Sequence, residues 1–173
     1  MAVTIDPDPS ADAPTPTLAC GVPVTLRFRD AVNPAPDFID QVLDALRANV
    51  LLRRFPLTTP LERLSAELTA RAHETLRLCA SDERCANKSG AMKRVMEEAR
   101  GGFAAPGEVG YDGVPGALRA AESDAEREAY RAFMRRCREE IAMRLVERCY
   151  DGVTGERDKF WMAFAKRRFM NRV

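Results

Sequence analysis

The stretch SDAEREAYRAFMRRCREEIAMRLVERCY, residues 123–150, decides the fold class, because it carries the strongest helical pattern of the chain. Its apolar residues recur at the spacing of one helical face and form a narrow stripe: Tyr130, Phe133, Met134, Cys137, Ile141 and Leu145. Ser123 or Asp124 is expected to cap its start, and Arg144 and Arg148 suit its carboxyl end. Such a helix is about 40 Å long and is predicted to cross the whole domain, with its mixed acidic and basic faces in solvent.

Four further helices are predicted around this segment. The first covers residues 37–54, with Asp37 as its cap, and the second begins at TPLE, residues 59–62, which reads as a capping box. The third covers residues 91–100 and ends at two glycines, and the last begins at Lys159. No strand pattern is sufficient for a sheet, so we predict an all-α fold of about five helices.

The remaining segments are predicted to be extended or irregular. Residues 1–17 contain four prolines and are expected to form a flexible N-terminal arm, which leaves residues 18–173 as a single helical domain. Alternating apolar residues in CGVPVTLRFRD, residues 20–30, indicate a short extended piece that is too isolated to build a sheet. The stretch GGFAAPGEVGYDGVPG, residues 101–116, holds six of the ten glycines and is predicted to be a long loop.

Composition excludes several classes of protein. A chain of 173 residues with 46% hydrophobic and 31% charged residues fits one globular domain, and a net charge of +1 implies no polyanionic partner. The five cysteines form no dense framework, so we expect them to be reduced and the protein to be intracellular. No signal peptide and no run of apolar residues long enough to span a membrane is expected.

No catalytic, metal-binding or cofactor-binding set is predicted. His73 is the only histidine and lies off the apolar stripe of its helix, so an ordinary surface histidine is expected. Cys79 and Cys85 are too few and too far apart for a zinc site, and the glycine-rich segment lacks the Gly-Lys-Ser/Thr of a phosphate loop. These absences predict a protein that is not an enzyme.

The last fifteen residues, KFWMAFAKRRFMNRV, combine five basic residues with four aromatic ones and contain no acid. On a helical wheel the apolar side chains cover about 200°, twice the width that one core-facing stripe needs. The helix could be wedged between helices of its own domain, with the basic residues reaching outward, or it could pack one side on a second protein. Nucleic-acid bases stacking on the aromatic rings are a third possibility.

Three blocks in this order resemble the signature blocks of one family, subunit 3 of the actin-related protein 2/3 complex. They are DFIDQVLDALRANVLLRRF (37–55), FAAPGEVGY (103–111) and KFWMAFAKRRFMN (159–171). The resemblance implies a mostly helical, non-catalytic structural subunit, without a cofactor, of a seven-subunit assembly in the cytoplasmic actin cytoskeleton. It further implies binding to actin-related protein 3 and a position near the mother filament and the base of the daughter filament.

The resemblance also implies where the interface lies. The aromatic side of the last helix should complete the domain core or the interface with the partner. Lys166, Arg167 and Arg168 should contact an acidic actin-like surface. The loop 101–116 is expected to dock on actin-related protein 3, with a loop packed only on its own domain as the alternative. The predicted interface residues are Phe103, Tyr111, Lys159, Trp161, Lys166, Arg167, Arg168 and Phe169. A small helical adaptor of another assembly, or a nucleic-acid binder, are the alternative functions.

Overall fold

The computed structural model describes residues 17–170, so all but the last residue of the predicted N-terminal arm lies outside the described residues. The five predicted helices are confirmed, and a short 3-10 turn at Glu83–Cys85 precedes the third. The helices are α1 Phe38–Asn49, α2 Pro60–Ser81, α3 Lys88–Arg100, α4 Asp124–Cys149 and α5 Lys159–Ala165.

A small sheet corrects the all-α prediction, since β1 (Leu18–Ala19) and β2 (Val22–Pro23) pair as an antiparallel hairpin. Its two turn residues, Cys20 and Gly21, both have positive φ, which is the backbone that a tight two-residue hairpin turn needs. The fold is therefore mainly helical with a minor sheet. Strands of two residues leave too little alternation for the sequence pattern to reveal them.

The starts of α1, α2 and α4 follow their predicted caps, and the ends of α3 and α4 lie within one residue of their predicted positions, whereas two other boundaries differ. Asp37, Thr59 and Ser123 cap α1, α2 and α4 through their side chains, the first two in complete capping boxes. The first helix ends at Asn49, five residues before the predicted position, and α3 begins at Lys88, three residues early. A side-chain cap involves residues within about four positions of each other, so the sequence shows it. A helix end can depend instead on the contacts that the following segment makes.

Helix α2 occupies the centre of the domain and packs against α1, α3, α4, α5 and β2. Seven consecutive residues of this helix, 64–70, are buried, so its middle touches protein on every side. Polar side chains, among them Ser65, Glu67 and Thr69, are therefore inside the domain. The apolar stripe of the sequence predicted only one buried face for this helix.

Helix α4 buries the predicted stripe, but its charged face is not wholly in solvent. The Arg144 side chain is only 2% exposed and forms ion pairs with Asp37 at 2.6 Å, Asp40 at 3.0 Å and Glu140 at 2.6 Å. The expectation of a solvated face is wrong at this position because α1 crosses α4 there. A buried guanidinium is tolerated only when carboxylates satisfy its donors, as they do here.

The last helix is shorter than predicted and holds seven residues. It ends at Ala165, and the chain then turns, with Met170 at positive φ, so that Phe169 is only 1% exposed. Phe169 and Met170 therefore lie outside the helix, in the turn that follows it. The apolar arc of about 200° predicted for this segment is not the surface of one helix. Within residues 17–170 no helix has both the length and the apolar character that a membrane crossing would require.

Candidate protein interface

The short helix α5 is attached to the centre of the domain by its backbone. Asp158 caps its start by accepting a hydrogen bond from the Phe160 N–H at 2.7 Å, and Nε2 of His73 donates to the Phe164 carbonyl at 3.2 Å. His73 is only 4% exposed, so the prediction of a surface histidine is wrong. Burial lowers the pKa of His73, and the neighbouring Arg77 lowers it further against the opposing effect of the hydrogen bond that the ring donates to the Phe164 carbonyl.

The outer side of α5 presents aromatic rings to solvent. Phe160 is 57% exposed and Trp161 is half-buried. The guanidinium of Arg47, from the last turn of α1, lies 4.8 Å from the Phe160 ring centre and 5.1 Å from the Trp161 ring centre. These cation–π contacts connect α1 to α5 and hold the two rings in place at the surface.

Four predicted interface residues are basic side chains in solvent: Lys159, Lys166, Arg167 and Arg168. None of them forms an ion pair with any residue in the described range 17–170. We call this group, together with Phe160 and Trp161, the C-terminal surface. Aromatic residues and arginine are enriched at protein interfaces, and this group contains both.

Phe169 differs from the other predicted interface residues, because its ring is inside the domain. It packs edge-on against Phe55, with ring centres 5.9 Å apart. It therefore completes the domain core, which was one of the two positions expected for the aromatic side of this segment. In the described structure it anchors the chain beneath the C-terminal surface and has almost no area left for a partner.

Phe103 and Tyr111 lie in the segment 101–116, which packs on α2 and α4. The Arg138 guanidinium is 4.6 Å from the Phe103 ring centre, and Tyr111 is half-buried. Further side chains attach this segment to the helices: Glu67 accepts from the Val114 N–H at 2.8 Å, and Arg131 donates to Glu108 at 2.6 Å. The tip of the segment, by contrast, leaves Val109 fully exposed.

Sequence reasoning missed Arg47 and Glu67, the residues that position these two regions. Arg47 contacts rings more than a hundred positions later in the chain, and Glu67 binds a backbone N–H that is 47 residues away. No local signal identifies such partners. Helix α2 contains three glutamates, so the sequence did not single out Glu67 as the buried carboxylate that needs a hydrogen-bond donor.

The cysteines offer no reactive site in this arrangement. All five are unpaired and buried. Burial raises the pKa of Cys20 to about 11 and that of Cys79 to about 12, so both thiols stay protonated near neutral pH. Among residues 17–170 no three histidine, cysteine or acidic side chains are grouped as metal ligands.

Comparison with known proteins gives one consistent result. The family described as "P21-Arc: ARP2/3 complex ARPC3 (21 kDa) subunit" matches residues 15–173. The chain is 31% identical over 164 residues to actin-related protein 2/3 complex subunit 3 of Arabidopsis thaliana, which covers 91% of each protein. It is 30% identical over 167 residues to the protein of the same name from Schizosaccharomyces pombe, covering 94% of this chain and 92% of that one. For Saccharomyces cerevisiae the identity is 28% over 179 residues, with 98% and 96% covered.

Proposed function

The chain belongs to the ARPC3 family of ARP2/3 complex subunits, and from this premise we propose that it is a non-catalytic structural subunit that supports nucleation of branched actin filaments. Its partners in this proposal are actin-related protein 3, the other subunits of the complex and the actin filament near the branch junction. Its place of action is the cytoplasmic actin cytoskeleton. The observation that carries the proposal is the match of the family over nearly the whole chain, including the C-terminal surface.

The C-terminal surface supports a contact with an acidic actin-like protein. Lys166, Arg167 and Arg168 are exposed and have no ion-pair partner within the described residues, so a partner's carboxylates would meet free guanidinium and ammonium groups. Charges at the rim of an interface mainly raise the association rate and respond to salt. Trp161 and Phe160 add apolar area beside them.

Charge reversal at this surface tests the proposal. The complex is reconstituted with the wild-type chain or with K166E/R167E/R168E, and we expect assembly or branch formation to fall by about tenfold, with the loss strongest at low salt. Subunit co-purification and branches per filament length are measured. K93E/R135E, at exposed residues that form no ion pair within residues 17–170, is the control. Unchanged assembly and branching in the triple variant would argue against the contact.

We also propose that the segment 101–116 docks on actin-related protein 3 through its exposed tip. Phe103 and Tyr111 already pack on α2 and α4, so their part in docking is to hold the tip in position. Val109 is the apolar side chain that remains available. Single exposed apolar residues are common, and the segment could equally be packed for the sake of its own domain alone.

A substitution at the tip separates these two possibilities. V109R should weaken recovery of the complex, whereas V153R, at an equally exposed valine in the turn before α5, should leave recovery unchanged. Both side chains are in solvent, so neither change should alter the thermal midpoint of the isolated chain. Equal recovery for the two variants would favour a segment packed only on its own domain. This test is gentler than removal of residues 107–113, which would take Tyr111 out of the domain as well.

A further inference from the structure

The fold joins two distant parts of the chain into one basic surface. Arg47 lies in the last turn of α1, and Arg53 and Arg54 follow in the connection to α2. Arg47 lies on the Phe160 and Trp161 rings of α5. We call the combined group the basic surface; its members are Arg47, Arg53, Arg54, Lys159, Lys166, Arg167 and Arg168.

A second contact brings the remaining members together. Phe55 packs on Phe169 with ring centres 5.9 Å apart. Arg54 directly precedes Phe55 and Arg168 directly precedes Phe169, and successive Cα atoms are only about 3.8 Å apart. Arg54 and Arg168, which are both exposed, therefore each lie next to one ring of this buried pair, although they belong to distant segments of the chain.

The charge of this surface is not compensated by any residue in the part of the chain that the structure describes. Residues 45–57 and 159–173 contain eight basic residues and no acid, although the whole chain has a net charge of only +1. Within residues 17–170 no member of the basic surface forms an ion pair. Several other arginines are paired, for example Arg131 with Glu108 and Arg148 with Asp44. Seven like charges grouped without a counter-charge among the described residues weaken the isolated fold, so their grouping indicates an external anionic partner.

The composition of the surface favours a protein as that partner. Leu51 and Phe160 are each 57% exposed and lie among the cations, which gives apolar area for a second protein to cover. Five of the seven cations are arginines, whose planar donors match carboxylates in pairs.

We propose that the basic surface is a single docking site for an acidic protein face, to which Arg53 and Arg54 contribute as much as the C-terminal residues do. The inference rests on the proposed function in one respect only, namely that the acidic protein is a member of the complex. It goes beyond that function because it assigns the connection between α1 and α2 to the contact.

The first test compares three variants in the reconstituted complex: R53E/R54E, K166E/R167E/R168E and the control K93E/R135E. The control reverses two exposed cations on α3 and α4 that have no ion pair among the described residues. We expect R53E/R54E to weaken incorporation by about tenfold, as the triple variant does, and the control to behave as wild type. Far-UV circular dichroism and thermal midpoints verify that all variants fold. If R53E/R54E incorporates as well as the control, the proposed single site is overturned.

The second test uses the isolated full chain and a fluorescent ten-residue polyglutamate peptide, so it does not depend on the complex. Binding should weaken about tenfold in R53E/R54E and remain unchanged in the control. If the wild-type chain does not enter the complex but peptide binding still depends on Arg53 and Arg54, the proposed function is wrong and the proposed basic surface is supported. Tighter binding to single-stranded DNA or to phosphatidylserine vesicles than to the peptide would overturn the acidic protein face as occupant.

Discussion

At the scale of the residue, Gly113 shows how closely the segment 101–116 approaches α2. A Cβ atom at this position would collide with the Tyr111 hydroxyl and would lie 2.7 Å from Oε1 of Glu67. Both neighbours are themselves held in place, because Glu67 is only 1% exposed and Tyr111 is half-buried. The position therefore accepts only glycine for reasons of space.

Substitution of Gly113 by alanine should lower the free energy of unfolding by about 1–3 kcal/mol, the usual cost of forcing extra volume into a packed site. Urea unfolding measures the difference. Gly102→Ala is the matched control, since nothing lies within 4 Å of the Cβ that it would add. Similar stabilities for the two variants would mean that the segment can move away from α2 at little cost.

His73 gives the domain a pH dependence that its sequence context did not indicate. Burial, together with Arg77, lowers its pKa below the ordinary value, so the folded state prefers the neutral imidazole. The unfolded chain therefore binds the proton first as pH falls, and stability should decrease once pH drops below about 6.5. Above that pH the contribution is fully present.

Because His73 is the only histidine, its imidazole signal can be followed directly by NMR. We expect a midpoint below about 6.5 and a loss of stability between pH 7.5 and pH 5 that is smaller in His73→Gln. A midpoint at or above the ordinary value would show that the ring is more hydrated than its 4% exposure implies. The hydrogen bond that Nε2 donates to the Phe164 carbonyl favours the protonated ring, so the loss of stability should come from burial of the charge and not from this bond.

At the scale of the element, the junction of α1 and α4 depends on Asp37. This residue caps α1 through the Asp40 N–H and also receives two hydrogen bonds from Arg144, at 2.6 and 2.9 Å. Burial by itself would raise the pKa of Asp37, but the hydrogen bonds from Arg144 and from the backbone of Arg29 and Asp40 lower it. Its contribution to stability is therefore present above pH 3.8 and is lost as pH falls below that value.

Replacement of Arg144 by alanine should cost about 3–5 kcal/mol in unfolding free energy, because it leaves buried carboxylates without their counter-charge. The loss should diminish on acidification, as those carboxylates take up protons. Arg135→Ala, at an exposed residue on the same helix, should change stability by less than about 0.5 kcal/mol. A cost for R144A no larger than that of the control would show that the ion pairs add little to the junction.

The elements also show which features a sequence pattern can predict. The cap at Asp37 and the capping box at Thr59 were recognisable because the residues that form each of them lie three positions apart. The end of α1 at Asn49 was not recognisable in the sequence, because the chain leaves the helix there and brings Phe55 against Phe169. The same contact explains why α5 stops after seven residues.

At the scale of the whole molecule, the central position of α2 predicts that the domain unfolds as one unit. This helix packs against the other four helices and β2, so its loss would expose the buried face of each. Trp161, the only tryptophan, reports on α5, whereas circular dichroism reports on all helices.

Urea unfolding followed by Trp161 fluorescence and by far-UV circular dichroism should give coincident transitions. Coincidence would support the single domain that the sequence predicts for residues 18–173. A fluorescence transition at lower urea would instead identify α5 as a separately unfolding element, held on only by contacts such as that between His73 and the Phe164 carbonyl.

The sequence by itself determined the helical class, the starts of α1, α2 and α4, the buried stripe of α4 and the family, because each depends on residues that are neighbours along the chain or on blocks of letters. Only the tertiary structure decided that α2 is the central helix, that Arg144 and His73 are buried, and that Arg47 lies on the rings of α5. Burial and ion pairing are properties of what surrounds a side chain, and those surroundings come from segments up to about a hundred residues away. The interface residues illustrate the division: composition indicated a basic and aromatic terminus, whereas packing placed Phe169 inside and left the cations in solvent.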